Sequence, residues 1–190
     1  MAKLIFTFGT MNSSKSLNLI STVHNYKSLN KKVLILTPSV DDRFGLGKVK
    51  SRATETEYDA CVVYPDSNIK GFVDESCDVI IVDEVQFLSK EQIIQLWEIS
   101  QHRTVMCYGL KSDFKGELFP AIETLLSYAD EVRSTITLCH VCGEHKASFN
   151  SRWNDGLPVI VGDQILVGDS EYKPVCKKCW HKIINKEILD

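Results

Sequence analysis

Four cysteines form two pairs of identical spacing in the last third of the chain, Cys139-x-x-Cys142 and Cys176-x-x-Cys179. Two thiolates in this spacing can bind the same metal ion, and two such pairs fill the tetrahedral shell that Zn²⁺ prefers. We therefore predict a zinc site with these four ligands, which is structural because a filled shell leaves no open position for catalysis. A redox role for either pair is the alternative. Three nearby histidines could compete as ligands, but we expect them to be exposed polar residues because the four cysteines already fill the shell: His140, His145 and His181.

A second group of residues has the composition of a phosphate-binding loop. It runs Gly9-Thr10-Met11-Asn12-Ser13-Ser14-Lys15-Ser16 and lies between an apolar segment and a stretch with helical spacing of apolar residues. Such a loop surrounds an anion with backbone N–H groups, while a lysine binds the β- and γ-phosphates and a hydroxyl binds Mg²⁺. Lys15 and Ser16 are the candidates for these two roles. Ser14 stands where a glycine is usual, which would strain the loop if φ is positive there.

Two acidic residues follow an apolar segment in the middle of the chain, in the sequence Val79-Ile80-Ile81-Val82-Asp83-Glu84. Asp83 is the candidate for holding Mg²⁺ through water, and Glu84 for acting as a base or positioning a nucleophile. An acidic pair after a strand is a weak signal alone, because strands also end in solvent in this way. Combined with the phosphate loop, it favours a nucleotide enzyme that uses Mg²⁺ and a nucleoside triphosphate.

The elements that must position these groups alternate along the first two thirds of the chain. Apolar segments typical of buried strands are Leu4–Phe8, Val33–Leu36, Cys61–Tyr64, Val79–Val82 and Thr104–Tyr108. Helical spacing of apolar residues occurs in Ser16–Tyr26, Glu91–Ser100 and Leu118–Tyr128. Continuous apolar strands separated by helices predict an α/β fold with a parallel sheet that helices cover on both faces.

The pattern of apolar and turn residues changes after about Ser134. Helical periodicity fades and turn residues appear, for example in Asn154-Asp155-Gly156. We therefore predict two domains: a P-loop nucleotide-binding phosphotransferase domain at residues 1–134 and a zinc-binding domain at residues 135–190. The second is expected to be a small, zinc-ribbon-like β annex that ends in a short helix from Trp180.

The segment Asp41–Glu57 has no clear periodicity and contains two glycines, Gly45 and Gly47. It is either a solvated loop or a mobile segment that closes over phosphates, since long irregular loops in compact domains are usually functional or disordered. The residues alone favour neither interpretation.

Composition narrows the class of protein. The chain is 44% hydrophobic with a net charge of −3, so it is expected to fold and has no global basic field to attract nucleic acid. No apolar run has the length of a signal peptide or a membrane span. Seven cysteines without a secretion signal favour metal binding in a reducing, cytoplasmic location. Cys61, Cys77 and Cys107 lie in or beside apolar runs and are predicted to be buried.

Taken together, these motifs resemble the zinc-containing, type II thymidine kinase family. Besides the loop and the cysteine pairs, the resemblance rests on Asp41-x-Arg43-Phe44-Gly45, Asp83-Glu84-x-Gln86-Phe87 and Tyr108-Gly109-Leu110-x-x-Asp113-Phe114. It implies ATP-dependent phosphorylation of the 5′-hydroxyl of thymidine, giving thymidine monophosphate and ADP for nucleotide salvage and DNA synthesis. It also implies a homotetramer that thymidine triphosphate inhibits by feedback.

The resemblance further implies roles for individual residues. Glu84 is implied to be the general base, and Arg43 the arginine that stabilises the transferring charge. The segment Phe149–Tyr172 resembles a lasso loop that closes over the nucleoside and contacts the base through main-chain groups. The implied substrate-binding residues are Met11, Gln86, Phe87, Leu110, Phe114, Phe149, Asn150, Ile165, Leu166, Val167, Gly168 and Tyr172.

Two other classes of protein share these motifs. The first is a zinc-ribbon ATPase that binds nucleic acid, whose ribbon should be basic and rich in aromatic residues. Residues 135–190 instead hold seven Lys/Arg and seven Asp/Glu, so we expect no nucleic-acid partner, and likewise no membrane. The second is a nucleotide sensor without catalysis, against which only Glu84 argues, because a sensor needs no base.

Overall fold

In the computed structural model the chain folds around a parallel six-stranded sheet. The structure describes residues 2–41, 45–51, 54–165 and 171–187. Along the chain the elements are β1 (Leu4–Phe8), α1 (Lys15–Ser28), β2 (Val33–Pro38), β3 (Lys48–Lys50), β4 (Glu57–Asp59), β5 (Cys61–Val63), β6 (Val79–Val82), α2 (Lys90–Ile99), β7 (Thr104–Gly109), α3 (Pro120–Tyr128), β8 (Glu131–Ser134), β9 (Phe149–Asn154), β10 (Leu157–Val159), β11 (Glu171–Val175) and α4 (Lys177–Ile184). Two short 3₁₀ turns, Ile69–Phe72 and Val85–Phe87, follow β5 and β6.

The strands of the large sheet lie in the order β5-β2-β6-β7-β1-β8. Every pairing in it is parallel, so the carboxyl ends of all six strands lie at one edge. The predicted α/β fold with a parallel sheet is therefore confirmed.

Helices cover both faces of this sheet. On one face α2 and α3 pack against alternate strand residues, including Ile80 and Val82 of β6. On the other face α1 packs against the residues between them, Val79 and Ile81. Successive side chains of a strand point to opposite faces. A strand such as β6, in which all four residues are apolar and buried, therefore needs cover on both sides.

The predicted strands and helices are all present, with small shifts at their ends. The largest shift is at α4, which begins at Lys177 rather than Trp180. α3 begins two residues later than predicted because Pro120 occupies its first turn. Cys77 and Cys107 are buried as predicted. The prediction for Cys61 was wrong: its side chain is exposed, because β5 is the edge strand of the sheet.

The segment Asp41–Glu57 contains secondary structure that its sequence pattern does not predict. β3 pairs with β4 as a short antiparallel hairpin, whose Val49 is buried in the α1 layer. The ammonium of Lys27 in α1 lies 4.5 Å from the centroid of the Tyr58 ring, which fixes the hairpin to the helix. Residues 42–44 and 52–53 of this segment lie outside the described residues.

The annex after Ser134 is built on a three-stranded antiparallel sheet with the order β10-β9-β11. Asp155 and Gly156 form the β9–β10 turn with positive φ angles of 48° and 76°, as expected for a two-residue hairpin. α4 packs on β9 and on the cysteine cluster. The last strand of the large sheet ends at Ser134, and the division into two domains stays a prediction. In the described part of the chain, no helix has the length and apolar character to cross a membrane.

A capping box at the start of α2 offers a test of the fold. The Ser89 hydroxyl accepts the N–H of Gln92 at 3.1 Å, and the Gln92 side chain accepts the N–H of Ser89 at 3.0 Å. We expect Ser89→Ala to lower the free energy of unfolding by about 1 kcal/mol, because the N–H of Gln92 loses its acceptor at the start of the helix. Urea denaturation measures the change. Ser127→Ala, at an exposed position inside α3, is the matched control and should cause no loss; equal losses in both variants would contradict the role of the cap.

Candidate active site and metal centre

The predicted phosphate loop connects β1 to α1 at the carboxyl edge of the sheet. Its Asn12 and Ser14 have positive φ angles of 56° and 62°, and α1 begins immediately afterwards at Lys15. Ser14, which stands in place of the usual glycine, thus adopts the left-handed conformation that favours glycine. The strain that the sequence indicates at this position is present.

Gly9 is required by the close approach of neighbouring side chains. A Cβ atom here would lie 1.9 Å from Thr135 Oγ1 and 2.3 Å from Ser13 Oγ. The Thr135 hydroxyl donates to Ser13 Oγ at 2.7 Å, and Ser13 donates to the Thr10 carbonyl at 2.7 Å. This chain of hydrogen bonds fixes the first half of the loop to the segment that leaves β8.

Lys15 is buried, and its ammonium donates to the Thr10 carbonyl at 2.7 Å. The positive charge is therefore held beside the loop backbone. A phosphate group bound by loop N–H groups and the helix N-terminus would need a cation in this place.

The acidic pair follows β6, and both of its carboxylates are buried. The Glu84 N–H donates to Asp83 Oδ1 at 3.0 Å, and Glu84 has a positive φ of 45°. Gln86 donates through Nε2 to Glu84 Oε2 at 2.6 Å, while its Oε1 accepts the N–H of Leu110 at 2.9 Å. The amide of Gln86 therefore connects the Glu84 carboxylate to the end of β7 and fixes its orientation.

The acidic pair and the loop lie at the same edge of the sheet, on either side of β7. β6 and β1 both pair with β7 in parallel, so they are separated by two strand spacings, about 10 Å. A Cβ atom at Gly109, the last residue of β7, would lie 2.4 Å from Gln86 Oε1. The glycine thus makes room for the Gln86 bridge. Ligands of open α/β sheets bind in the crevice outside the carboxyl ends of the strands.

Phe114, a predicted pocket residue, lies in a turn that several hydrogen bonds stabilise. The Asp113 carboxylate accepts the N–H groups of Lys115 and Glu117, both at 2.9 Å. The Trp180 indole donates to the Phe114 carbonyl at 3.1 Å. Because Trp180 follows the predicted zinc ligand Cys179 directly, the annex contacts the turn that carries Phe114.

Asn150 brings the annex to the phosphate loop. Its Oδ1 accepts the N–H of Met11 at 2.8 Å, so two predicted substrate-binding residues from opposite ends of the chain are in contact. Tyr172 lies on β11, next to the β9 strand that carries Asn150. Phe87 packs edge-on against Phe119 with 6.2 Å between ring centroids.

The remaining predicted pocket residues have less direct support. Phe149 stacks on Trp180 with 4.4 Å between ring centroids and belongs to the cluster around the cysteines. The Ile165 side chain is 45% exposed. The other four residues with predicted roles lie outside the described residues: Arg43, Leu166, Val167 and Gly168. All of these roles stay predictions.

Arg152 is the residue near this site that the sequence interpretation missed. It is 2% exposed and contacts the rings of Phe114 and Tyr172. The available signal was its spacing: Arg152 is two residues after Asn150, and residues two apart in a strand lie on the same face.

The four predicted zinc ligands come together. The sulfur atoms of Cys139, Cys142, Cys176 and Cys179 all lie within 4.8 Å of one another. Cys142 Sγ and Cys176 Sγ are 4.0 Å apart, close to the separation of about 3.8 Å that follows from tetrahedral Zn–S bonds of about 2.3 Å. All four cysteines are free thiols. The donor set and its geometry therefore fit a zinc ion, which would cross-link the two cysteine pairs.

The surroundings of the cluster affect its thiols unequally. Burial disfavours the Cys139 thiolate, but N–H groups of Cys142, Cys176 and Val141 outweigh it and lower the pKa of Cys139 to about 7. Burial and the neighbouring Cys176 thiol instead raise the pKa of Cys179 to about 12. Four thiolates this close repel one another, so full ionisation at neutral pH needs a bound cation.

The fold and these groups define a class of protein. The fold is a parallel α/β sheet with a loop of phosphate-binding composition after its first strand and an acidic pair at the same edge. These features are typical of α/β nucleotide-binding proteins, and the annex adds four cysteines that could hold a metal ion.

Comparison with known proteins gives the family. The family model described as thymidine kinase matches residues 2–180. A thymidine kinase of Lactiplantibacillus plantarum is 40% identical over 185 residues, covering 93% of this chain and 94% of that protein. One of Enterococcus faecalis is 37% identical over 195 aligned positions, covering 98% and 100%. The chain belongs to the thymidine kinase family, and it is therefore an enzyme, a transferase of nucleotide salvage.

A solved structure, the Pif1 helicase from Candida albicans, is similar with a TM-score of 0.41 at 13% identity, covering 70% of this chain and 36% of that one. This likeness is too low to bear on the fold or function.

The conformation of Ser14 gives a prediction for the loop. We expect Ser14→Gly to leave activity and the free energy of unfolding unchanged. Glycine removes the strain of the left-handed conformation, about 1 kcal/mol, but it also raises the entropy of the unfolded chain at a similar cost. Ser14→Val should lose more than about 1 kcal/mol, because β-branched residues adopt positive φ least readily. Thermal denaturation of both variants measures this. Similar stability of the valine and glycine variants would contradict the strained conformation.

The cysteine cluster gives a prediction for the metal. We expect about one zinc ion per chain in protein purified without chelator, and loss of that ion in Cys142→Ser, because three thiolates leave the tetrahedral shell incomplete. Elemental analysis measures the loss of zinc. Hydrogen exchange of β9 and α4 measures the loosening of the annex. Cys61→Ser, at an exposed cysteine outside the cluster, is the control and should keep zinc. Wild-type protein without zinc would remove this assignment.

Proposed function

We propose that this enzyme transfers the γ-phosphoryl group of ATP, bound with Mg²⁺, to the 5′-hydroxyl of thymidine, giving thymidine monophosphate and ADP. The observation that carries this proposal is the Gln86 bridge, which holds the buried Glu84 carboxylate in one orientation at the loop edge of the sheet. A general base must lie within hydrogen-bond reach of the proton it takes. Fixing the base in advance lowers the entropy lost on reaching the transition state.

The proposed roles at the phosphates follow from the loop. Lys15 neutralises the β- and γ-phosphates, Ser16 binds Mg²⁺ and Asp83 holds the ion through water. The backbone N–H groups of residues 9–14 supply further donors. Phosphoryl transfer depends mainly on positioning and charge neutralisation, and each of these groups serves one of the two.

Two unpartnered hydroxyls support a polar ligand at this edge. In the described ranges, the buried side-chain oxygens without a hydrogen-bond partner are Thr10 Oγ1 and Thr37 Oγ1. Thr10 belongs to the loop, and Thr37 lies near the carboxyl end of β2. A buried hydroxyl without a partner is costly. Phosphate oxygens, or waters around Mg²⁺, would supply the missing partners.

For the nucleoside we propose a pocket between the sheet and the annex. Met11, Leu110 and Phe114 form its walls on the sheet side, and Tyr172 closes it from the annex. The Met11–Asn150 hydrogen bond and the Trp180–Phe114 hydrogen bond join the two sides. The lasso loop, including residues 165–168, contacts the base in this proposal.

Four further proposals rest on the family resemblance alone. Arg43 stabilises the transferring charge, thymidine triphosphate inhibits the enzyme by occupying both subsites, the enzyme is a homotetramer and it works in the cytoplasm.

The two rival functions have less support. A nucleic-acid ATPase needs a basic surface, whereas residues 135–190 carry no net charge. A sensor without catalysis does not need a buried carboxylate held by an amide, as Glu84 is by Gln86. Membership of a kinase family counts against both.

Replacement of Glu84 tests the proposal. We expect Glu84→Gln to keep the fold and ATP binding but to lose roughly 10²- to 10⁴-fold in kcat, the usual loss on removal of a general base. A coupled ADP assay with ATP, Mg²⁺ and thymidine measures kcat.

The control is Glu123→Gln, which removes an exposed carboxylate that pairs with Lys90 on the helical face. It should keep wild-type kcat. Near-normal turnover in Glu84→Gln, or ADP release by the wild type that does not depend on thymidine, would count against the proposed chemistry.

A further inference from the structure

Arg152 is a buried cation that has no carboxylate partner in the described part of the chain. It is 2% exposed, and among the described residues it forms no ion pair within 4.0 Å. Burial of a charge without an opposite charge is unfavourable unless other groups replace its hydration. The contacts that Arg152 makes instead indicate the role of this buried charge.

Two of these contacts are with residues of the proposed nucleoside pocket. The Arg152 Nε donates to Tyr172 Oη at 2.8 Å, across the β9–β11 pairing in which the two residues lie opposite each other. The Cζ atom lies 3.9 Å from the centroid of the Phe114 ring and 5.3 Å from that of Tyr172. Both distances are within the range of cation–π attraction.

The other end of the guanidinium holds the chain just before the proposed lasso contacts. Arg152 Nη2 donates to the carbonyl oxygens of Asp163 at 2.8 Å and Gln164 at 3.4 Å. The Gln164 side chain in turn donates to Asp113 and to the Leu118 carbonyl, both at 3.3 Å. Residues 163–164 of the lasso loop, directly before its proposed base contacts, are thus tied to the turn that carries Phe114, with Arg152 between them.

We propose that Arg152 is a positioning residue for the nucleoside pocket, an inference that rests on the proposed function. Its planar guanidinium fixes the Phe114 ring, the Tyr172 hydroxyl and residues 163–164 of the lasso loop relative to one another before the nucleoside binds. Because Tyr172 Oη accepts from the guanidinium, its O–H is directed elsewhere and donates to a carbonyl of the pyrimidine or a hydroxyl of the sugar. The ATP side of the site does not depend on this arrangement.

Steady-state kinetics of Arg152→Met and Arg152→Lys test the inference. The methionine keeps much of the volume without the charge, and the lysine keeps the charge without the planar fork. We expect the KM for thymidine to rise roughly 10- to 100-fold in both, the range for loss of a charged hydrogen bond. The KM for ATP and kcat should stay within about threefold, because preorganisation acts on binding of the nucleoside. We expect Arg152→Lys not to restore the KM for thymidine, because an ammonium group lacks the planar set of donors that a guanidinium has.

A double-mutant cycle separates positioning from general packing. Tyr172→Phe removes the hydroxyl that Arg152 contacts, so its effect on the thymidine KM should not add to that of Arg152→Met. Lys173→Met is the matched control: Lys173 is the next residue on β11 and lies 4.9 Å from the Trp153 ring centroid, outside the pocket. It should keep the wild-type KM for thymidine.

The outcomes that overturn the inference are distinct. An unchanged thymidine KM in folded Arg152→Met, or equal rises of both KM values with a lowered melting temperature, would make Arg152 a residue of general structure. If Arg152→Met does not fold, rescue of the thymidine KM by lysine, or a wild-type KM in Tyr172→Phe, overturns it equally. Absence of thymidine phosphorylation by the wild type would instead remove the proposed function.

Discussion

The parallel alignment of β6, β7 and β1 is the constraint on which the candidate site depends. It brings the carboxyl ends of the three strands to one edge, so the acidic pair and the phosphate loop lie at the same crevice although they are far apart in sequence. The central strand also carries the support: Leu110, just past β7, donates to Gln86, which holds Glu84. The sheet therefore fixes both the place and the orientation of the groups for phosphate chemistry.

The annex adds a second, separate task. It contacts the sheet through Asn150 at the loop and through Trp180 and Arg152 at the Phe114 turn. Its own shape depends on four cysteines that come before β9 and after β11 in sequence and lie within 4.8 Å of one another, too close to be ionised together without a cation. A metal ion that holds this small domain rigid would thereby keep the nucleoside side of the site in register with the phosphate side.

Local patterns in the sequence were enough for five of the six strands of the large sheet and for the chemical groups at its edge; β8, which is mostly exposed, was missed. β6 is predictable because four consecutive apolar residues require burial on both faces, and the loop because its residues are contiguous. β3 was missed because three residues, Lys48–Lys50, are too few to show a period. The contacts between annex and sheet could not be predicted, since Met11 and Asn150 are 139 positions apart and no local pattern encodes such pairing. The spacing of Arg152 from Asn150 was a local signal, but it does not indicate the contact of Arg152 with the Phe114 ring.

The central claim is that Glu84 and the loop direct phosphate to the 5′ position of a nucleoside. Two thymidine analogues test it directly, each lacking one hydroxyl of the sugar. With ATP and Mg²⁺, mass spectrometry of the products should show a monophosphate of 3′-deoxythymidine and none of 5′-deoxythymidine. Phosphorylation of 5′-deoxythymidine, or of neither analogue by an enzyme that still releases ADP, would contradict the account.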